Sequence, residues 1–167
     1  MTPRPISLLL LRQSPSQRAH FAIFVPSLTN PDLGSLINVV GARMMGYKHV
    51  FERGYRLSLE TQSYEVVPLG YIDSRHIVDS PPDAARSTDD EPKGDIELAA
   101  AELPAPGVSE NFIAPVNETT NRRCQEWTMD YIRHLVAKGY IDAQAIEIVQ
   151  SKRDPPEFGI ALRPAGQ

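Results

Sequence analysis

The stretch Asn121–Lys138, NRRCQEWTMDYIRHLVAK, decides how the chain folds. Cys124, Thr128, Tyr131 and Leu135 recur at helical spacing, and Trp127, Ile132 and Val136 widen the same apolar stripe. Thr119, Thr120 and Asn121 are good capping residues ahead of it, and Gly139 is a fitting stop. The sequence therefore predicts a helix over Arg122–Lys138. One face of that helix must pack on an apolar surface, and the upstream sequence supplies it as strands.

Short runs rich in β-branched and aromatic residues alternate with turn formers over the first half of the chain. They are Ile6–Arg12, His20–Pro26 (HFAIFVP), Ser35–Val40 (SLINVV) and Ser63–Asp73. Tyr47–Glu52 and Tyr55–Leu59 read as a hairpin turning at Arg53-Gly54, and Pro68 with Gly70 marks an edge or a bulge. The connections are too short for parallel crossovers, so the sheet is mainly antiparallel. The expected fold is α+β, a five- or six-stranded sheet packed against a C-terminal helix that carries the cysteine. A second helix is expected at Ala143–Ser151 behind Asp142, and a last strand at Phe158–Leu162.

A length of 167 residues fits one domain, 1–167. Between Asp83 and Glu97 six acids face two bases, a local charge of −4 that equals the formal charge of the whole chain. Prolines flank this stretch, so 80–110 reads as an acidic, proline-rich loop or insertion, with a short helix at Ile96–Leu103. A balance without a basic surface argues against a nucleic-acid partner. The apolar run Ile6–Leu11 is too short for a membrane span and carries no leader pattern, so a cytoplasmic protein is expected. The single cysteine excludes an internal disulfide framework and cysteine-rich zinc sites. No histidine and carboxylate spacing suggests a metal, and no glycine pattern suggests a nucleotide; no cofactor is expected. Exposed strand near Pro68 leaves room for a homodimer.

Three residues stand out by position. His20 opens an apolar strand, Asn38 is a polar residue inside LINVV, and Cys124 sits in the first turn of the long helix. Unsatisfied N–H groups and the helix dipole favour a thiolate there. A histidine to take the thiol proton and an amide to orient its ring complete the division of labour in Cys-His-Asn chemistry. Arg123, Gln125 and Trp127 flank the sulfur and are the candidates to contact a substrate, although Trp127 also suits core packing. A lone cysteine on an apolar helix face is equally a packing residue. His49 is a second candidate base; His76 and His134 read as surface residues.

HFAIFVP, then SLINVV, then NRRCQEW opening a long helix, resembles a circularly permuted papain-like fold. That order is shared by the lecithin–retinol acyltransferase-like proteins and the permuted-papain isopeptidases. The resemblance implies His20 as general base, Asn38 as the orienting residue and Cys124 as nucleophile. The acyltransferase-like enzymes usually place a second histidine where this chain has Asn38, and their cysteine motif differs from Arg123-Cys124-Gln125-Glu126. Over nearly its full length the chain also resembles a fungal family of small uncharacterised proteins, through SENFIAPVNETTNRRCQEWTMDYIRHLV and IVQSKRDPP. The expected activity is thiol-dependent hydrolysis or transfer of an acyl group at an amide, ester or thioester. The alternatives are a non-catalytic binding module for a small ligand or a protein, and a cofactor-free cyclase or isomerase with His20 as base.

Overall fold

A computed structural model describes residues 2–42, 44–111 and 113–158. Six strands, β1 (Pro3–Arg12), β2 (His20–Pro26), β3 (Leu33–Ala42), β4 (Gly46–Arg56), β5 (Ser63–Asp73) and β6 (Ser87–Asp89), form one antiparallel sheet. Their spatial order is β5-β1-β2-β3-β4-β6. Three helices follow: α1 (Asp95–Ala101), α2 (Cys124–Ala137) and α3 (Gln144–Lys152). The expected α+β class, with a sheet of six strands, is what the structure shows.

The apolar runs of β1 and β2 reflect burial on both faces. On the helix side, Ile6, Leu8 and Leu10 join Phe21, Ile23, Val25, Ile37, Val39 and Phe51 in a core with Trp127, Tyr131, Ile132 and Leu135. On the other side, Leu9, Leu11, Ala22, Phe24, Leu36 and Tyr55 form a second cluster. The stripe of α2 thus packs as its periodicity predicts, and truncating a fully buried Trp127 there costs about 3–5 kcal/mol. β5 is an edge strand, and the ladder with β1 shifts register between Ile6 and Ser7, opposite Gly70 and Pro68.

Four local expectations are corrected. Arg53-Gly54 is no hairpin: β4 runs through it to Arg56, and Leu57–Leu59 forms a 3-10 turn. Gly54 is there for a different reason, a φ of +63° and a close approach of the Ala84 and Ala85 carbonyls. Second, α2 begins at Cys124 rather than Arg122. Asn117 Oδ1 accepts the N–H groups of Thr119, Thr120 and Asn121, which binds those residues into a loop of their own. The Asn121 amide is likewise spent on the carbonyls of Asn111, Ala114 and Pro115. Third, His76 is buried, stacked on Tyr140 with 4.1 Å between ring centroids and bonded through Nδ1 to Asp95 at 2.7 Å. Fourth, the acidic stretch is not all loop: Ser87–Asp89 forms β6, and Glu97 is buried against Arg53 at 2.6 Å. Past Phe158 the expected last strand lies outside the described residues.

Candidate functional site

His20 is the first residue of β2 and pairs across the sheet with Leu11. The β2–β3 ladder extends only from Pro26↔Gly34 to Ile23↔Ile37, so no backbone ladder joins the strands beside His20. A side-chain bond spans that gap. His20 Nε2 meets Asn38 Oδ1 at 2.7 Å, while Asn38 Nδ2 donates to Val50 O on β4 at 2.8 Å. That second bond fixes the amide with its oxygen toward the ring. Asn38 is polar within LINVV because it is buried with both ends of its amide in use.

Cys124 is the first helical residue of α2 and is half-buried against the sheet. Its N–H belongs to the first turn, whose donors have no acceptor within the helix. The His20 imidazole and the Phe21 N–H lie beside its sulfur, and both favour the thiolate. Since Nε2 is engaged by Asn38, Nδ1 is the ring nitrogen left for the sulfur. The Cys124 thiol donates to the Ala19 carbonyl at 4.0 Å.

Electrostatics favours charge separation within this pair. Burial disfavours the charged imidazole, but the Cys124 sulfur and the hydrogen bonds to it and to Asn38 outweigh burial and push His20 up to about 9. Burial likewise disfavours a thiolate, yet the His20 charge, its hydrogen bond and the Phe21 N–H bring Cys124 below its ordinary value. The two shifts point the same way: a thiolate beside an imidazolium.

The other candidates are placed differently. Gln125 has no exposed surface; it donates to Ala19 O at 2.9 Å and to Asp154 at 2.9 Å. Trp127 is fully buried, with its N–H on Leu103 O at 3.2 Å and its ring stacked on Tyr131. Both therefore meet protein rather than an approaching substrate. Arg123 is half-buried at the cap position, where its N–H donates to Glu126 at 3.0 Å. His49 lies edge-on to Trp127 and its Nε2 bonds the Leu103 carbonyl at 2.6 Å.

Around this centre lies a charged frame that sequence reasoning missed. Arg18 reaches both oxygens of Glu126, at 3.1 and 2.9 Å, and Arg153 adds a bond to Glu126 at 3.0 Å. Asp154 accepts from Ala19 N, Gln125 and Arg12. The one sequence signal was the run SKRDPP, which spans the end of α3 and carries Arg153 and Asp154. A hollow of about 210 Å³ opens beside His20, lined by Leu11, Gln13, Gln17, Arg18, His20 and Gln62. No group of three histidine, cysteine, aspartate or glutamate side chains among the described residues is arranged to hold a metal ion. No helix among them is long and apolar enough to cross a membrane.

Fold and site together define an α+β protein whose sheet and long helix bring a Cys-His-Asn constellation to one end of the sheet. The chain belongs to a family of unknown function (DUF6540), which matches residues 6–142 and so spans His20, Asn38 and Cys124. No curated protein and no solved structure matches it.

Proposed function

We propose that the protein is a thiol-dependent acyl hydrolase or acyltransferase with a circularly permuted papain-like arrangement, acting on an amide, ester or thioester. The observation that carries this reading is the ordered contact sulfur–imidazole–amide, with the sulfur at the first position of a helix. A packing cysteine needs neither an oriented histidine nor a backbone N–H aimed at its sulfur.

In this reading the Cys124 thiolate attacks the substrate carbonyl carbon, forming the C–S bond and moving the carbonyl π pair onto oxygen. The Cys124 N–H at the start of α2 faces no helical acceptor and supplies a donor for that oxyanion. His20 then gives its proton to the leaving nitrogen, oxygen or sulfur as the bond to carbon breaks. The acyl group remains on Cys124. Neutral His20 next takes a proton from water or an acceptor nucleophile, which attacks the thioester carbon and expels the thiolate. Asn38 touches no reacting atom and holds the ring.

The test is acylation by an activated ester such as p-nitrophenyl acetate, followed by intact-mass analysis and nitrophenol release. The wild type should show a burst and an acetyl adduct on Cys124. Cys124→Ala should show neither, and His20→Ala should lose turnover by about 10²–10⁴-fold, the usual contribution of a general acid–base. A protein that neither labels at Cys124 nor depends on His20 ends the proposal. A cyclase or isomerase using His20 alone would be marked by activity that survives Cys124→Ser.

A further inference from the structure

We infer that Asp154, twelve residues beyond the family match, is a positioning residue that sets the distance between Cys124 and His20. The inference rests on the reading of that pair as a reactive dyad. One carboxylate oxygen, Oδ2, accepts the Ala19 N–H at 2.8 Å and the Gln125 side-chain amide at 2.9 Å. Ala19 immediately precedes the base, and Gln125 immediately follows the nucleophile.

The link is doubled. Gln125 Nε2 also donates to Ala19 O at 2.9 Å, so both backbone groups of Ala19 are held. Gln125 Oε1 in turn accepts the Asp154 N–H at 2.9 Å and Arg18 Nη2 at 3.0 Å. Arg12 occupies the other carboxylate oxygen at 3.1 Å. The charged groups facing this knot are thus Arg12, Arg18, Arg153 and Glu126. Burial pushes the Asp154 carboxyl up, but the Ala19 N–H, Arg12 and Gln125 outweigh it and hold it low.

A strand end and a helix start, brought together from opposite parts of the chain, have no covalent reason to keep one spacing. Asp154 supplies that reason by accepting from both ends on one carboxylate oxygen. A misplacement of about 1 Å between reacting groups is enough to cost ~10²-fold in rate. A role in stability alone would move the melting temperature and leave the thiol's reactivity profile where it was.

The experiment is the rate of iodoacetamide alkylation of Cys124 against pH, read by intact mass on the full chain, with circular dichroism to verify folding. Asp154→Ala should move the midpoint upward toward an ordinary thiol, lowering the rate by about tenfold per unit of displacement at pH values below both midpoints. Asp154→Asn retains an acceptor for Ala19 and Gln125 and should stay within about threefold of wild type. If Asp154→Ala does not fold, Gln125→Met removes the Gln125 bonds to Asp154 and to Ala19 O at similar volume and should displace the midpoint in the same direction. A folded Asp154→Ala or Gln125→Met with the wild-type profile overturns the inference, as does an Asp154→Asn that falls as far as Asp154→Ala. Failure of the dyad reading looks different: the wild-type midpoint is itself ordinary, and His20→Ala leaves it unmoved.

Discussion

At the scale of single residues, the proposed chemistry depends on which protons Cys124 and His20 hold. The folded His20 is raised from 6.5 to about 9. It therefore stabilises the fold fully below its unfolded value, and that contribution disappears as pH rises through about 9. Cys124 is lowered, so its contribution is present above the unfolded thiol value and is lost as pH falls through the folded one. Thiolate and imidazolium coexist between the two folded values. Acyl turnover should accordingly be bell-shaped, with an alkaline limb near pH 9. Alkylation by iodoacetamide needs only the thiolate and should show the acid limb alone. A turnover profile that keeps rising well above pH 9 would exclude His20 as the proton donor. Asn38→Ala removes one hydrogen bond to the charged ring, about 1.5 kcal/mol, and should lower turnover by about tenfold while moving the alkaline limb to lower pH.

Elements carry a different set of constraints. The start of α2 is fixed by Glu126, which caps the helix through the Arg123 N–H and binds Arg18 and Arg153. Burial raises its carboxyl, yet Arg18 and Arg153 outweigh burial and hold it below the usual range. Stability from this group is complete above the unfolded glutamate value and is lost as pH falls through the lower folded value. Glu126→Ala leaves buried Arg18 uncompensated and should cost about 3–5 kcal/mol in urea unfolding. In β4, Gly54→Ala should destabilise by about 1–3 kcal/mol through strain at positive φ. Its Cβ would also meet the Ala85 oxygen at 2.7 Å. A melting temperature unchanged by Gly54→Ala would show that the 84–85 segment moves aside freely.

Across the whole molecule, the acidic stretch is attached to the sheet rather than hung from it. Arg53, on the β4 side of the sheet, binds Glu97 of α1 and Asp89 of β6, and Arg86 returns to Glu52. Arg53→Ala strands a buried carboxylate, so proteolysis within 80–94 should become faster by at least about tenfold at a protease level where cleavage follows local opening. Equal cleavage rates in the two proteins would place the hold on this segment elsewhere. The same long-range pairing explains what could be read in the sequence. The bounds of β2 and β5 and the stripe of α2 follow from local pattern, and so does the order His20, Asn38, Cys124. Local pattern also suggested the wrong cap for α2 and a hairpin at Gly54, because distant carbonyls and loop contacts decide both. Arg18, Gln125, Glu126 and Asp154 were illegible as a group. Each is an ordinary polar residue until residues 18, 125 and 154 come within bonding distance.

Cys124 is the only sulfhydryl in the chain. Under the proposed function Cys124 is a reactive thiolate, and such a thiolate also reacts with peroxide, giving a sulfenic acid. This chain has no second cysteine to condense with it, so recovery must come from an outside thiol such as glutathione. Without one, the sulfur passes on to the sulfinic and sulfonic acids, which are irreversible for an ordinary protein. Peroxide treatment with and without glutathione should therefore give two separable masses, one mixed disulfide that dithiothreitol removes and one trioxidised chain that it does not.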